Sequence, residues 1–416
     1  MTEAPDAVDV AIVGGGMVGA SLAAALGELD LDVALVEATA PSAQGQPSFD
    51  ARTTALSNGS RRILEGLGVW AEIEGAATRI ERIHVSERGR FGSAVIDARQ
   101  QGLAALGYVL ENRVLGQALA GRLARGRRLS VLAPATVTAA SVAPERVDLD
   151  VESGGSVRRL SARLVVAADG ARSLVRREAG VGAEEWDYGQ TALIATLTPE
   201  RLHGHVAYER FTPEGPIAML PIAGGRVGLV WTLEPAAAAR ALTLNPPEFL
   251  SELQEAFGWR LGRLTGLGAR YAYPLALTRA ESQGGARIAI IGNAAQGLHP
   301  IAGQGFNLGL RDAATLAEVI AERSGADAGD PSVLSRYVEW RAADRRALIA
   351  FTDGLVRLFG SPFAPVRIAR GLGLVLFDLS PAAKSALSRL SLGFASRMPR
   401  LARALPLAGP SAGTDR

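Results

Sequence analysis

The amino-acid sequence predicts a mixed α/β fold, and three patterns along the chain indicate it. A strand, a helix and a second strand follow one another at the N-terminus, which is typical of a Rossmann-like domain with a parallel sheet. Residues 186–280 contain short apolar runs separated by turn residues, and such runs predict an antiparallel β-sheet. Within this block, Gly224-Gly225 predicts a hairpin and Pro246-Pro247 predicts the start of a helix that ends near Phe257. Beyond residue 330 the apolar spacing becomes helical, so we expect a helical C-terminus.

Composition excludes several classes of function. The 416 residues are 48% hydrophobic and 21% charged, as in a globular protein of two or three domains. With 44 basic against 42 acidic residues, the net charge of +2 argues against a nucleic-acid partner. The absence of cysteine excludes disulfides and thiol catalysis, and the one lysine, Lys384, follows no glycine-rich phosphate loop. No metal-ligand set such as HExxH is present, and the acidic N-terminus predicts a cytoplasmic location because it lacks a basic signal region.

The N-terminal strand–helix–strand unit carries a dinucleotide-binding pattern. The buried-strand run at residues 9–13 leads into the glycines Gly14, Gly16 and Gly19 of a GxGxxG motif, and a second strand ends in Glu37. Such glycines permit a tight turn, close approach of a pyrophosphate to the backbone, and helix–strand packing. Glu37 is placed to accept hydrogen bonds from a ribose, which favours FAD or NAD over NADP.

Two later segments repeat the pattern of a buried strand that opens into a polar loop. Residues 163–176 run into a DGxxSxxR motif that contains Asp169 and Gly170. Residues 287–311 form a strand, a glycine-rich loop and a helix; the candidate cofactor residues in this segment are Gly292, Asn293, Pro300, Gly303, Gly305 and Asn307. Backbone N–H groups in such loops converge on anionic groups, and the glycines allow close approach to a flat ring. The geometry suits the isoalloxazine ring of a flavin.

The three signatures together resemble the single-component FAD-dependent aromatic hydroxylases of the para-hydroxybenzoate hydroxylase type. Shorter segments resemble, more narrowly, the ubiquinone-biosynthesis hydroxylases and, among these, the 2-polyprenyl-6-methoxyphenol hydroxylases. The resemblance extends from about residue 8 to about residue 395. The segments that carry it are residues 49–52, 84–89, 209–212, 215–221, 256–262, 272–277 and 299–309.

The resemblance implies roles for individual residues. Arg52 and Arg113 match positions that contact FAD, although a surface arginine on a helix is the alternative for each. Asn293 replaces the aspartate of the wider family, so looser flavin binding is expected because an amide accepts hydrogen bonds more weakly than a carboxylate. His299 and Pro300 are candidates for a catalytic role, with an ordinary loop histidine as the alternative. No carboxylate pair is required, since the flavin carries the chemistry.

The implied activity is that of a flavoprotein monooxygenase. NAD(P)H reduces FAD, O2 adds at flavin carbon C4a, and the hydroperoxide hydroxylates a polyprenylated methoxyphenol to its 1,4-benzoquinol. A sister hydroxylase acting at another ring position, or an FAD hydroxylase of another phenol, shares the same motifs. A non-catalytic FAD-fold protein that binds prenyl chains is the alternative from a different class, and the DGxxSxxR motif argues against it. A ubiquinone-biosynthesis complex is a further implied partner.

The order of the signatures predicts the domain organisation. Residues 1–185 and 281–330 are expected to form a discontinuous FAD-binding domain, with a β-sheet substrate domain at 186–280 and a helical region at 331–416. The helical region is predicted to contain a helix from Pro331 to Phe359 and a second one from Pro381 through Leu401. Residues 357–405 hold eight basic residues and one acid, which predicts contact with an anionic membrane surface. Helices packed on the domain with solvated arginines are the alternative.

Overall fold

The computed structural model describes residues 6–40, 52–298, 303–323, 325, 327–360, 364–391, 393 and 397–407. Within these residues the chain forms three sheets and eleven α-helices. The helices are α1 (Met17–Leu26), α2 (Asn58–Gly66), α3 (Trp70–Ile73), α4 (Asn112–Leu123), α5 (Leu174–Glu178), α6 (Pro235–Thr243), α7 (Pro246–Phe257), α8 (Gln304–Ala321), α9 (Pro331–Gly360), α10 (Ala364–Leu379) and α11 (Pro381–Ser391). The predicted mixed α/β fold is confirmed.

The first sheet contains the predicted N-terminal unit. Its strands are β1 (Ala7–Val13), β2 (Val33–Val36), β8 (Leu129–Leu132), β9 (Thr136–Val142), β10 (Val147–Ser153), β11 (Ser156–Ala167), β18 (Gly284–Gly285) and β19 (Ile288–Ile290). Strands β19, β11, β1, β2 and β8 lie side by side and parallel, so their carboxyl ends share one edge. Helices α1 and α8 pack on this sheet through a continuous apolar cluster. The three sequence signatures follow β1, β11 and β19 and are therefore brought to the same edge.

The second sheet is mostly antiparallel. Its strands are β5 (Arg82–Glu87), β6 (Ser93–Asp97), β12 (Ala183–Pro199), β13 (Val206–Thr212), β14 (Gly215–Pro221), β15 (Val227–Leu233), β16 (Leu264–Leu267), β17 (Tyr271–Ala280) and β20 (Gln296–Gly297). The predicted hairpin joins β14 to β15 through Gly224 and Gly225, at φ +74° and +70°. Helix α7 begins at the predicted Pro246, and a capping box between Asn245 and Glu248 holds its first turn. This sheet reaches beyond residues 186–280, since β5 and β6 form one of its edges.

A small third sheet links the two larger ones. It consists of β3 (Thr53–Ser57), β4 (Thr78–Ile80) and β7 (Gly107–Glu111), with β7 in the centre. Thr53 approaches the second sheet so closely that a Cβ on Gly228 would lie 2.8 Å from its hydroxyl oxygen. The opposite end of β3 is held to α8 by Asn307. Strand β3 therefore lies between the start of α8 and the antiparallel sheet.

The C-terminal region differs in part from its prediction. Helix α9 confirms the long helix from Pro331, but α10 was not predicted, and α11 ends at Ser391 instead of continuing to Leu401. Leu401 lies in a separate 3-10 turn that packs on α2 and is buried in the first core cluster. Burial of this turn explains the correction, because its apolar residues cover the protein core instead of continuing a helix face. No helix in the described ranges has the length and apolarity needed to cross a bilayer.

Candidate functional site

The turn between β1 and α1 has the geometry of a phosphate cradle. Gly14 adopts φ +105°, and a Cβ on Gly19 would lie 1.9 Å from the carbonyl oxygen of Gly14, so only glycine fits there. Gly16 caps α1 without a side-chain hydrogen bond, and the first turn contains no acidic residue. The helix therefore presents its first N–H groups and the positive end of its dipole to an anion.

Glu37 lies beside this turn, at the end of β2. Its two carboxylate oxygens accept hydrogen bonds from the backbone N–H groups of Gly15 (2.6 Å) and Thr39 (2.8 Å). These bonds fix the carboxylate at the carboxyl edge of the sheet and leave lone pairs for a further donor. The position is that of the predicted ribose acceptor, and its contact with a ribose stays a prediction.

The DGxxSxxR motif packs directly against the first glycine turn. A Cβ on Gly14 would lie 2.4 Å from the carbonyl oxygen of Ala168, so the two loops touch. Asp169 accepts a hydrogen bond from Leu174 N–H (2.8 Å) through Oδ2, while its buried Oδ1 has no partner in the described part of the chain. An unpaired buried carboxylate oxygen is costly, so a ligand donor is expected here. Gly170 (φ +85°) leaves open space beside it.

The third loop completes the arrangement. Gly292 adopts φ +58° and lies against Val18 of α1, where a Cβ would approach within 3.2 Å. Buried Arg176 of the DGxxSxxR motif donates from Nη1 to the carbonyl oxygen of Ala294 (2.8 Å), which joins the second and third loops. Asn293 is exposed beside these contacts, available to a hydroxyl group.

The glycines at the start of α8 have different environments. Gly303 begins the helix at φ +60° and lies against Ala55, whereas a Cβ on Gly305 would meet no described atom within 4 Å. Asn307 accepts from Ser57 N–H (2.8 Å) and donates to the carbonyl oxygens of Ala55 and Gly303, so its amide anchors β3. His299 and Pro300 lie outside the described residues.

The two candidate arginines lie close to each other. The carbonyl oxygen of Arg52 accepts a hydrogen bond from Asn112 N–H (2.8 Å), and Arg113 follows at the start of α4. The guanidinium of Arg52 lies over the ring of Tyr273, 4.9 Å from its centre, and so bridges β3 and the second sheet. Arg113 is 58% exposed and pairs with Glu111. Both stay candidates for a cofactor contact.

A buried charge cluster supports the third loop from below. Asp312 of α8 accepts from Arg341 Nε (2.8 Å), from Gln296 (2.7 Å) and from Gly292 N–H (3.3 Å). Asp344 contacts Arg341 (2.7 Å) and Arg311 (3.0 Å), so two carboxylates neutralise two guanidiniums.

The ionisation of the cluster follows from its burial and its pairing. Burial opposes the charge on Arg341, yet Asp312 and Asp344 outweigh it and raise the pKa of Arg341. Burial likewise disfavours a charged Asp344, but Arg311 and Arg341 lower the pKa of that carboxyl. The pairing therefore favours the charged forms of Arg341 and Asp344 beneath the loop. Sequence reasoning missed this cluster, although charged residues inside the otherwise apolar pattern of α8 were its visible signal.

The assembled edge fits FAD. A bound dinucleotide requires three features that are present here. They are the close approach at Gly14 and Gly19, the uncapped start of α1 and the unpaired Oδ1 of Asp169. Glu37 and Asn293 add acceptors for hydroxyl groups beside these positions. For a metal, in contrast, the described residues contain no group of three ligating side chains.

Comparison with known proteins identifies the family. The model of the FAD binding domain family matches residues 7–352. The chain belongs to that family. It is 40% identical over 404 residues to ubiquinone hydroxylase UbiL of Rhodospirillum rubrum, covering 96% of this chain and 93% of that protein. It is 34% identical to 3-demethoxyubiquinol 3-hydroxylase of Escherichia coli, covering 94% of this chain and 100% of that protein.

The predicted resemblance to ubiquinone-biosynthesis FAD hydroxylases, a flavoprotein monooxygenase class with FAD as cofactor, is thereby confirmed. Among solved structures, p-nitrophenol 4-monooxygenase PnpA of Pseudomonas putida aligns with a TM-score of 0.77 at 19% identity, covering 94% of this chain and all of that one. This likeness shows the fold.

Proposed function

We propose that this flavoprotein hydroxylates the ring of a polyprenylated methoxyphenol in ubiquinone biosynthesis, with NAD(P)H and O2 as co-substrates. The observation that carries the proposal is the partly exposed apolar face of the second sheet that is turned toward β3, from which we infer a cleft next to the FAD edge. Bound FAD would supply the activation of O2. The task of the chain is to hold the ring beside the flavin and to exclude water.

The cleft suits an apolar ring substrate. Its floor is formed by the face of the second sheet turned toward β3, where Ile194, Ala218 and Val230 are partly exposed although they lie on central strands. Partly exposed apolar side chains in mid-sheet indicate a cavity, and such cavities bind flat apolar ligands. Arg52 and Tyr273 bound the cleft on one side.

The reductant needs no second nucleotide domain in this proposal. The sequence contains one GxGxxG motif, at Gly14 to Gly19. We propose that NAD(P)H binds transiently on the FAD domain, near Asp169 and Gly170, where the open space beside Gly170 is accessible.

Contact with a membrane surface is a further part of the proposal, because a polyprenyl chain partitions into the bilayer. Leu372, Leu376 and Leu379 of α10 are 61–72% exposed on one helix, and Phe91 beside them is 86% exposed. Two of the basic residues of this region are not solvated, since Arg370 pairs with Glu87 and Lys384 pairs with Asp378. The apolar face of α10 therefore supports the contact better than the basic residues do.

A second candidate acts at another ring position. The relative named 3-demethoxyubiquinol 3-hydroxylase is covered over its full length at 34% identity, so its reaction is the specific rival.

The test is expression of the chain in two hosts, one lacking the 2-polyprenyl-6-methoxyphenol hydroxylase and the other lacking the 3-demethoxyubiquinol 3-hydroxylase. Quinone and accumulated intermediate are measured by mass spectrometry. We expect ubiquinone to return, and the methoxyphenol to disappear, in the first host. Rescue of the second host alone would assign the rival position. Failure in both hosts, with FAD-loaded protein present, would refute both assignments.

A further inference from the structure

Glu209 lies on the face of the second sheet that is turned toward the cleft. On β13, Tyr208 points to the outer face, where its ring contacts Phe257 of α7 at 5.7 Å between centres. Phe211, further along the same strand, stacks on Phe359 of α9 with 3.5 Å between the ring centres. Because successive strand residues alternate in direction, Glu209 shares the face of Phe211 and points away from α7.

A row of side chains crosses the sheet at the level of Glu209. The strand registers place Val85, Glu209, Ala218, Val230 and Ile194 next to one another on this face. All five are partly exposed.

The opposite face of the same strands is closed. There Met219, Leu229 and Leu193 are fully buried under α6 and α7. The row is therefore partly open instead of tightly packed, as expected for the floor of the proposed cleft, and Glu209 is its one ionisable member.

Strand β3 and the residue before it lie over the same face. Thr53 comes within van der Waals distance of Gly228, and Arg52 lies over Tyr273. The glycine-rich start of α8 holds β3 from the other side through Asn307. The proposed cleft is thus bounded by the sheet row below and by elements of the proposed FAD edge above.

The carboxyl group of Glu209 has no neutralising partner in the described residues, where it forms neither an ion pair nor a side-chain hydrogen bond. The charged groups on the surrounding elements form ion pairs with other residues. Glu87 of β5 pairs with Arg370 of α10 (2.7 Å), and Asp378 of α10 pairs with Lys384 of α11 (3.0 Å).

The two nearby arginines do not pair with the carboxyl group of Glu209 either. Arg210 donates to the carbonyl oxygen of Ala256 on the outer face, while Arg52 lies over Tyr273. Burial without compensation raises the pKa of Glu209 to about 7.

We propose that Glu209 is the proton acceptor for the phenolic hydroxyl of the substrate, an inference that rests on the proposed function. In this step the phenol O–H bond breaks and an O–H bond forms on the Glu209 carboxylate. The electron pair stays on the phenolate oxygen and delocalises into the ring, which makes the ring carbons more reactive toward an electrophilic oxygen. Neither oxidant nor reductant enters the step, and the proton returns to the oxygen when the product leaves.

The placement suits this chemistry. A general base works best when its pKa lies near the operating pH, and a carboxylate that faces an apolar cavity gains by receiving a proton. A phenol, with an ordinary pKa near 10, stays protonated at neutral pH, so its proton moves to Glu209 as the ring is attacked.

The test uses purified FAD-loaded protein and a 2-prenyl-6-methoxyphenol with a short prenyl chain. Glu209→Gln removes the base at constant size, Glu209→Asp keeps it, and Glu214→Gln, an exposed glutamate on the loop after β13, is the matched control. The rate of product formation, measured as a function of pH, reports the ionisation of the base. Product formed and hydrogen peroxide released per NAD(P)H report the coupling of the reaction.

We expect product formation by the wild type and by Glu214→Gln to accelerate as the pH rises through about 7. Glu209→Gln should lose this pH dependence and form product about 100-fold more slowly, with release of hydrogen peroxide instead, while Glu209→Asp retains part of the rate and of the pH dependence. An unchanged pH dependence and yield in Glu209→Gln would overturn the assignment and leave the proposed function standing. A wild type that neither binds nor hydroxylates the phenol would overturn both.

A measurement on the wild type alone covers the case in which the variants do not fold. Infrared difference spectra of the phenol complex should show the carbonyl stretch of a protonated carboxyl group that disappears as the pH rises through about 7. Hydroxylation that accelerates over the same pH range without this carboxyl signal would show that the proton goes to another group, and the assignment would fall.

Discussion

The charge cluster beneath the Gly292 loop gives the sharpest quantitative prediction. Asp312 is fully buried, and its carboxylate bonds Arg341, Gln296 and the backbone of Gly292. Asp312→Asn keeps the shape but leaves two guanidiniums facing one carboxylate, Asp344, in a buried site. Breaking a buried pair in this way costs about 3–5 kcal/mol of the free energy of unfolding, a large share of the ~5–15 kcal/mol of a typical domain.

The matched control makes the same change at the surface. Asp30 pairs with Arg128 but is 93% exposed, so Asp30→Asn should change stability by less than about 1 kcal/mol. Urea unfolding of the apoprotein, followed by tryptophan fluorescence, measures both variants. Flavin fluorescence then measures FAD release, which should increase in Asp312→Asn because the Gly292 loop loses its anchor.

A double-mutant cycle completes this test. Combining Asp312→Asn with Arg341→Gln restores neutrality to the cluster, so the pair of changes should cost less than the sum of the two single changes, with a coupling of about 0.5–3 kcal/mol. A cost for Asp312→Asn no larger than for Asp30→Asn would refute the reasoning, since the cluster would then not depend on charge balance.

Further predictions concern the cofactor turn and the C-terminal helices. Gly19→Ala should abolish FAD retention, because its Cβ would lie 1.9 Å from Gly14 O. The control Gly121→Ala, on α4, should retain FAD, because its Cβ would make only an ordinary contact with Glu72 at 3.9 Å. Flavin absorbance of the purified proteins measures both, and a yellow Gly19→Ala protein would contradict the reasoning. Hydrogen bonding by Val95 N–H and by Lys384 lowers the pKa of Asp378, so its contribution to stability is present above its unfolded value of about 3.9 and is lost as the pH falls through the lower folded value. Acidification should therefore lower the protection factor of the Val95 amide against hydrogen exchange in the wild type. Asp378→Asn should show the lower protection factor already at neutral pH, and equal protection in both proteins at neutral pH would contradict the assignment.

The sequence by itself determined the local units. The run from β1 through Gly14, Gly16 and Gly19 to Glu37 specifies its structure through strand pattern, glycine positions and an acid at fixed spacing, all of which act over short distances. The hairpin at Gly224 and the long helix from Pro331 were predicted for the same reason. Local conformational preference depends on neighbouring residues, so the sequence alone predicts it.

The tertiary structure decided which of these units meet. Sequence spacing did not reveal that β5 and β6 complete the antiparallel sheet, or that the turn at Leu401 is buried on α2. It also did not indicate that Glu209 lies without a counter-ion on the sheet face turned toward β3, because strand alternation defines two faces but not what covers each one. Burial and charge pairing arise from contacts between distant segments, and these contacts decide the pKa of Glu209 and the balance of the cluster around Asp312.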